Sequence, residues 1–246
     1  MKIIHLSDTH NYLPPLDTLP EADILIHSGD ATNTGKMEEL VLFSNWLTLA
    51  CQKYKYVIFV PGNHDRLFGK NTPRAYEILS TDWTNSKTNK ANLYILIDKQ
   101  IVINDLVIYG TPHTPSNNCL AGWYYYLNPD EADEFWTHLI DIGIGCHVLV
   151  THGPPYRILD TPVSTRIGTR DPHQGCKGIL NYVKYQQPIL HLFGHIHEEY
   201  GIYVDKTTFV NTSIRDENYN ITNFPRLITL VKEDRSWKVS SINQIK

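Results

Sequence analysis

Two histidines, His195 and His197, stand two residues apart where an apolar run, residues 188–193, gives way to polar sequence. Two glutamates follow directly, so the segment combines imidazoles and carboxylates, which are the side chains that most often bind metals or move protons. The chain contains 12 histidines, however, and a close pair is also compatible with ordinary surface or core residues. The rest of the sequence must decide between a metal site and these alternatives.

Residues of the same kind follow four other apolar runs of strand length. The runs are 2–7, 23–28, 55–60 and 146–151, and the polar residues after them are Asp8, His10, Asp30, Asn63, His64, Asp65 and His152. Ligands of α/β sheets bind at the carboxyl ends of the strands. Five strand ends that carry Asp, Asn or His therefore predict one common site.

Carboxylates and imidazoles without thiolates suit divalent metals such as Mn, Fe or Zn. The four cysteines form no CxxC pair, which argues against a thiolate zinc site or a small disulfide framework. The candidate ligands are too numerous for one tetrahedral ion. They suit two ions roughly 3.5–4 Å apart that share a carboxylate, as in two-metal hydrolytic sites.

The elements that must position these residues alternate between strand and helix patterns. Further strand-like runs occupy 93–97, 101–110, 200–204, 207–212, 226–231 and 237–242, and helical patterns occupy 36–52, 130–141 and 176–186. Asn104-Asp105 predicts a hairpin turn. The order of elements favours an α/β fold with a mixed sheet or two packed sheets.

The composition narrows the function classes. The chain has 246 residues, of which 41% are hydrophobic and 20% are charged, so it can bury a sizeable core. A net charge of −4 without any block of Lys or Arg argues against a dedicated nucleic-acid surface. The first residues turn polar too early for a signal peptide, and no apolar run has transmembrane length. We therefore expect a cytoplasmic protein without a membrane partner.

The series D-x-H, G-D, G-N-H-D, H-G-P-P and G-H-x-H resembles the calcineurin-like metallophosphoesterase superfamily, in order and across nearly the whole chain. The segments THGPP, GCKGILNYV and FGHIHEEYGI are most similar to the metallophosphoesterase-domain-containing branch, which includes class III cyclic-nucleotide phosphodiesterases. The resemblance implies a single domain over 1–246, built as two mixed β-sheets packed as a sandwich and flanked by helices.

The resemblance also implies a role for each motif residue. Asp8, His10, Asp30 and His197 would hold one metal, and Asp30, Asn63, His152 and His195 the second. A metal-bridging hydroxide would attack phosphorus, His64 would protonate the leaving alkoxide, and Asp65 would orient His64. The cofactors would be two divalent ions, with Mn favoured and Fe, Zn, Ni or Mg also compatible. Some relatives carry Gly in place of His195, whereas this chain keeps the full ligand set.

One departure from the superfamily bears on the substrate. Protein serine/threonine phosphatases carry GDxxDRG, whereas this chain reads GDATNTG, which argues against a phosphoprotein phosphatase and leaves the partner of His64 open. The favoured function is hydrolysis of small phosphodiesters, with cyclic nucleotides among the candidates. A phosphomonoesterase or nuclease with the same metal core, and a metal-free scaffold, are the alternatives. The expected partner is a small phosphate ester.

Two further groups of residues have two interpretations each. Residues 110–126 predict a long loop over the metal edge, in which His113 or Trp123 would contact the substrate. The aromatic run WYYY, 123–126, would either stack on a nucleobase or only pack. The remaining histidines inside predicted elements are His5, His27, His138, His147 and His191, and they would be structural or would orient the ligands.

Overall fold

The computed structural model describes residues 1–81, 90–115, 124–163 and 171–245. The strands are β1 (Lys2–Leu6), β2 (Ile24–His27), β3 (Tyr56–Phe59), β4 (Leu93–Ile95), β5 (Lys99–Ile103), β6 (Leu106–Thr111), β7 (Thr114–Pro115), β8 (Tyr126–Leu127), β9 (Val148–Thr151), β10 (Leu190–Phe193), β11 (Gly201–Val204), β12 (Thr208–Asn211), β13 (Arg226–Glu233) and β14 (Ser236–Gln244). The helices are α1 (Met37–Lys53), α2 (Arg66–Lys70), α3 (Thr72–Ser80), α4 (Pro129–Asp141) and α5 (Lys177–Gln186).

The described strands form two six-stranded mixed sheets, and β7 pairs with β8 in a small separate ribbon. The first sheet has the order β14-β13-β1-β2-β3-β4, in which β1 to β4 are parallel and β13 is antiparallel to β1. The second sheet has the order β11-β12-β10-β9-β6-β5, in which the four inner strands are parallel. The predicted fold class, two mixed sheets flanked by helices, is confirmed.

The alternation of side chains along the strands explains the layers. In β2, Ile24 and Ile26 belong to the core between the two sheets, whereas Leu25 belongs to the core shared with α1 and α3. In β9, Val148 likewise faces the other sheet, and Leu149 packs with α4 and α5. Successive strand residues point to opposite faces, so a strand that is apolar throughout must be covered on both sides. The result is a helix–sheet–sheet–helix arrangement.

Local signals fix several boundaries. Asn104 and Asp105 both have positive φ, 47° and 63°, as a two-residue hairpin turn between β5 and β6 requires. Asn128 caps α4 and exchanges hydrogen bonds with Glu131. The sequence patterns missed α2 and α3, because both are short; the available signal was the capping Asn71 with proline in the first helical turn.

The parallel strands of both sheets end at one edge. Backbone hydrogen bonds join the loops there: Asp8 N–H donates to Gly29, Ser7 N–H to Thr212, and Gly194 N–H to His152. The loop after β1 thus contacts the loops after β2 and β12. The longest described helix, α1, has 17 residues, and none of the described helices has the length and apolar character needed to cross a bilayer.

We expect Gly178→Ala, in the first turn of α5, to destabilise the protein although alanine is the better helix former. A Cβ at this position would lie 2.7 Å from Cδ1 of Trp136 and 2.9 Å from the carbonyl oxygen of Ala132, so α4 and α5 would have to separate. Overpacking of this kind costs about 1–3 kcal/mol. Denaturant unfolding measures the change, with the exposed Asn181→Ala in the same helix as control. Equal stability of Gly178→Ala and wild type would contradict the tight α4–α5 contact.

Candidate metal centre

A first cluster of ligand-type side chains consists of Asp8, His10 and His197, which follow β1 and β10. Nε2 of His197 lies 3.4 Å from Oδ1 of Asp8 and 3.4 Å from Nε2 of His10. All three residues are buried. One ligand atom from each lies within 4.8 Å of the other two, so the three side chains converge on one point that a metal ion could occupy.

A second cluster consists of Asp30, His152 and His195, whose ligand atoms also lie within 4.8 Å of one another. Nε2 of His152 is 3.3 Å from Oδ2 of Asp30 and 2.9 Å from Oδ1 of Asn63. The same Asp30 oxygen is 3.8 Å from Nε2 of His10 in the first cluster. Asp30 therefore joins the two clusters, and the seven predicted ligands lie in one place.

Backbone carbonyls set the tautomers of two of these histidines. Nδ1 of His152 lies 3.0 Å from the carbonyl oxygen of Ser28, and Nδ1 of His197 lies 3.0 Å from that of Asp216. A carbonyl oxygen only accepts, so each Nδ1 must carry the hydrogen. With a hydrogen fixed on Nδ1, Nε2 is the nitrogen that can face a metal ion, as in metal-binding histidines. The donor set fits divalent cations.

Burial and the two carboxylates together set the protonation of the imidazoles in the site. Burial opposes ionisation of Asp30, yet His152 and His64 hold the pKa of this carboxyl well below its usual range. Burial also opposes protonation of His152, but the Asp30 carboxylate outweighs it and raises the His152 pKa to about 9. Burial lowers the pKa of His10 to about 4 and that of His195 to about 3, so both rings are neutral at pH 7. The neutral imidazoles of His10 and His195 can bind a cation directly, whereas His152 would have to release its proton to do so.

His64 lies beside this site with its ring held by the main chain. Nδ1 is 2.6 Å from the carbonyl oxygen of Asn33, so this nitrogen carries a hydrogen and Nε2 is the exchangeable position. Nε2 is 3.9 Å from Oδ2 of Asp30. In GDATNTG, Asn33 stands where GDxxDRG has its second Asp. The partner of His64 that the sequence left open is thus a backbone carbonyl oxygen at that position.

Asp65 contacts backbone groups of two loops. Its carboxylate accepts hydrogen bonds from the amides of Gly62 (2.8 Å) and Thr32 (2.9 Å) and from the Thr32 hydroxyl (2.9 Å). The Thr32 hydroxyl also lies 3.0 Å from the carbonyl oxygen of His64. Burial and the neighbouring Asp30 raise the pKa of Asp65 to about 6. These contacts hold the loop after β2 against the loop after β3, and they reach His64 through its main chain.

Three of the remaining histidines brace the loops that carry the candidate ligands. His5 contacts the hydroxyl of Ser28 at 2.8 Å, His27 that of Thr9 at 3.0 Å, and His191 that of Thr151 at 2.8 Å. Burial lowers the pKa of all three to about 3, so they are neutral. His147 accepts a hydrogen bond from the amide of Val107, and His138 is exposed on α4.

A cleft opens over the clusters, and part of its wall was not anticipated. The described residues that line it are Asp30, Asn63, His64, Tyr126, His195, His197, Glu198, Glu217 and Tyr219. Tyr126 belongs to the aromatic run WYYY. Glu217 and Tyr219 follow β12, a sixth strand end that the sequence interpretation passed over. Ser213 in the same segment donates a 2.6 Å hydrogen bond to Oδ2 of Asp8, a contact that no local sequence pattern indicates.

The two residues predicted to contact the substrate are His113 and Trp123, and the structure describes only the first of them. His113 lies 3.1 Å from Oδ2 of Asp98, and its ring packs edge-on against Phe135 at 4.8 Å between centroids. It does not line the described wall of the cleft. Trp123 lies outside the described residues. A substrate contact by either residue stays a prediction.

Comparison with known proteins identifies the family. The profile of the calcineurin-like phosphoesterases matches residues 1–199. Metallophosphoesterase domain-containing protein 1 of Homo sapiens is 33% identical over 244 residues, covering 93% of this chain and 71% of the relative. A UPF0046 protein of Caenorhabditis elegans is 32% identical over 252 residues, covering 96% and 77%. The site and these relatives define a metal-dependent hydrolase of phosphate esters. The chain belongs to the calcineurin-like phosphoesterase family.

Solved structures show the same fold at low sequence identity. TT1561 of Thermus thermophilus has a TM-score of 0.62 and 12% identity, covering 100% of this chain and 99% of the other. The phosphopantetheinyl hydrolase of Mycobacterium tuberculosis has a TM-score of 0.54 and 16% identity, covering 89% and 90%. At these identities the likeness establishes the fold alone.

We expect Gly194→Ala to lower bound metal and activity while the protein stays folded. A Cβ at this position would overlap Oδ2 of Asp8 and Oγ of Ser7, so the Asp8 carboxylate would have to move. Metal analysis of the purified protein and far-UV circular dichroism measure the two effects. Gly201→Ala is the matched control, because the nearest atom to its Cβ would be at 3.5 Å, an ordinary contact. Full metal content in Gly194→Ala would show that metal binding does not depend on the position of the Asp8 carboxylate.

Proposed function

We propose that this chain is a phosphodiesterase that hydrolyses small diesters, with cyclic nucleotides among the candidates, and that it uses two divalent cations, with Mn favoured. The observation that carries the proposal is the pair of His/Asp clusters joined by Asp30. Asp8, His10, Asp30 and His197 would hold one cation, and Asp30, Asn63, His152 and His195 the other. When bound, the cations would lower the pKa of a water and neutralise charge on the phosphoryl oxygens.

His64 is the proposed general acid. Its Nδ1–H donates to the Asn33 carbonyl, so the proton that the leaving oxygen receives comes from Nε2, the nitrogen that faces Asp30. A carbonyl partner stabilises the ring in both charge states and leaves its orientation unchanged when the proton is given up. Asp65 supports this step by fixing the His64 backbone through Thr32.

The charge of the cleft wall favours a diester over a monoester. Beyond the candidate metal ligands and His64, the described wall consists of two tyrosines and two glutamates, without Lys or Arg. A phosphomonoester carries up to two negative charges at neutral pH and a diester carries one, so Glu198 and Glu217 repel the monoester more strongly. The same carboxylates disfavour long nucleic acids, whose binding depends on basic side chains. A phosphomonoesterase is the second candidate, because the metal core serves both reactions.

Turnover of bis(4-nitrophenyl) phosphate and 4-nitrophenyl phosphate by metal-free protein reloaded with Mn, Fe, Zn, Ni or Mg tests the proposal. We expect a higher kcat/KM for the diester and two equivalents of metal per chain. Asp30→Asn should lose both metals and nearly all activity, because Asp30 joins the clusters. Preference for the monoester would favour the second candidate. Activity that survives without metal, or two full equivalents of metal in Asp30→Asn, would contradict the proposed centre.

We expect His64→Ala to retain its metal and to lose turnover according to the leaving group. Proton donation is typically worth about 10²–10⁴-fold, so diesters of poor leaving alcohols should lose that much. Loss for 4-nitrophenyl esters should be small, because 4-nitrophenolate leaves without a proton. Initial rates on both substrate types measure the difference, with the exposed His138→Ala as control. An equal loss for both substrate types would show that His64 is not the general acid, and loss of metal would assign His64 to metal binding instead.

A further inference from the structure

We propose that Tyr219 contacts the leaving group of the substrate, and that the turn formed by residues 216–220 holds it in this position. The inference rests on the proposed phosphodiesterase function. It deepens that function, because it assigns the part of the cleft wall around Tyr219 to the leaving group of the substrate. It concerns a residue outside every sequence motif of the site.

The turn is closed by its own hydrogen bonds. The Asp216 amide donates to the carbonyl of Asn220 at 2.9 Å, and the Tyr219 amide donates to the carbonyl of Asp216 at 3.0 Å. The Asp216 carboxylate accepts from the amides of Asn218 and Asn220. Tyr219 has φ 63°, a left-handed conformation that is uncommon for a bulky residue. Such a conformation persists only where the surroundings determine it, and it is frequent at functional sites.

The turn is fastened to the metal centre on two sides. Arg215 donates from Nε to the carbonyl of Thr9 at 2.9 Å and from Nη2 to the carbonyl of His10 at 3.1 Å. Its Nη1 donates to the carbonyl of Tyr219 itself. On the other side, the Asp216 carbonyl accepts the hydrogen bond from Nδ1 of His197. One guanidinium thus links the Tyr219 backbone directly to the loop that carries two candidate ligands.

These contacts place the Tyr219 ring against three imidazoles of the centre. Its centroid is 4.9 Å from that of His10, 5.1 Å from that of His197 and 6.5 Å from that of His64. Tyr219 nevertheless remains 44% exposed and lines the cleft. Here the ring packs on the histidines and still offers surface to a ligand.

The position of His64 indicates which part of the ligand meets this surface. The attacking and leaving oxygens lie roughly in line on opposite sides of phosphorus. The general acid must be within hydrogen-bond reach of the leaving oxygen, so the leaving group exits beside His64. Among the described residues, the Tyr219 ring packs 6.5 Å from that of His64, and the Tyr126 ring packs 6.4 Å from that of His195. The ring of Tyr219 would therefore contact an aromatic or heterocyclic leaving group.

Two chromogenic diesters test this assignment. Bis(4-nitrophenyl) phosphate and methyl 4-nitrophenyl phosphate both expel 4-nitrophenolate and differ only in the group that stays on phosphorus. For Tyr219→Leu in the Mn-loaded full chain, we expect KM to rise by the same factor for both diesters, about two- to tenfold, which is the range for aromatic pairs. Tyr219→Phe should have a KM close to that of the wild type, because phenylalanine keeps the aromatic ring. Tyr185→Leu, exposed on α5, is the control and should change nothing.

Other outcomes would overturn the inference. A rise in KM for the bis ester alone would place the ring against the group that stays on phosphorus. Loss of metal or a fall in kcat for both diesters at unchanged KM would show that Tyr219 only supports the histidines. An equal rise in KM in Tyr219→Phe would assign the effect to the hydroxyl rather than to the ring.

A binding measurement separates this inference from the proposed function. Calorimetric titration of the Mn-loaded protein with phenylphosphonate and methylphosphonate requires no turnover. The wild type should bind phenylphosphonate more tightly than methylphosphonate. In Tyr219→Leu the ratio of the two affinities should fall by about two- to tenfold. If wild type hydrolyses neither diester, the proposed function fails while the titration still decides whether Tyr219 contacts the organic group. An identical preference in both proteins would overturn the contact.

Discussion

Two buried carboxylates, Asp8 and Asp30, impose the constraint around which the site is built. An ionised carboxylate is costly to bury unless charges and hydrogen bonds compensate it. Among the described residues, the ion-pair partners of these two carboxylates are all histidines. The Asp8 carboxylate additionally accepts from the Ser213 hydroxyl and the His195 amide, and Asp30 accepts from the His64 amide. A divalent cation that displaced the imidazole protons would take over this compensation.

The backbone must adopt unfavourable conformations to bring these groups together. Asp8, His10, Asp30 and His195 all have positive φ, between 43° and 71°. Conformations of this kind cost on the order of 1–3 kcal/mol each and persist where other contacts determine them. The bonds from the Asp8 amide to Gly29 and from the His10 amide to the Asp30 carbonyl are such contacts. The regular pairing of the parallel strands behind these loops therefore supports the strained turns in front.

The strand ends and their ligand-type residues were predictable because local patterns encode them: an apolar run, then a polar residue, in most cases beside a glycine. The same holds for the hairpin at Asn104 and for the cap of α4. The Tyr219 turn was not predictable, because its proximity to β1 depends on the neighbours of β12 and on Arg215, which acts over 206 residues of sequence. The partner of His64 was equally hidden, since a carbonyl oxygen belongs to every residue and leaves no mark in the sequence.

The hydrogen bonds from ring nitrogens to main-chain oxygens have an evolutionary consequence. The rings of His64, His152 and His197 are each oriented by a carbonyl, at Asn33, Ser28 and Asp216 respectively. A carboxylate in that role can be lost in a single substitution, whereas a carbonyl persists whatever side chain the residue carries. Position 33 is then released from the requirement for an acidic residue that GDxxDRG implies. The orientation of these imidazoles is inherited with the path of the chain, so neighbouring positions can drift in sequence while the chemistry is retained.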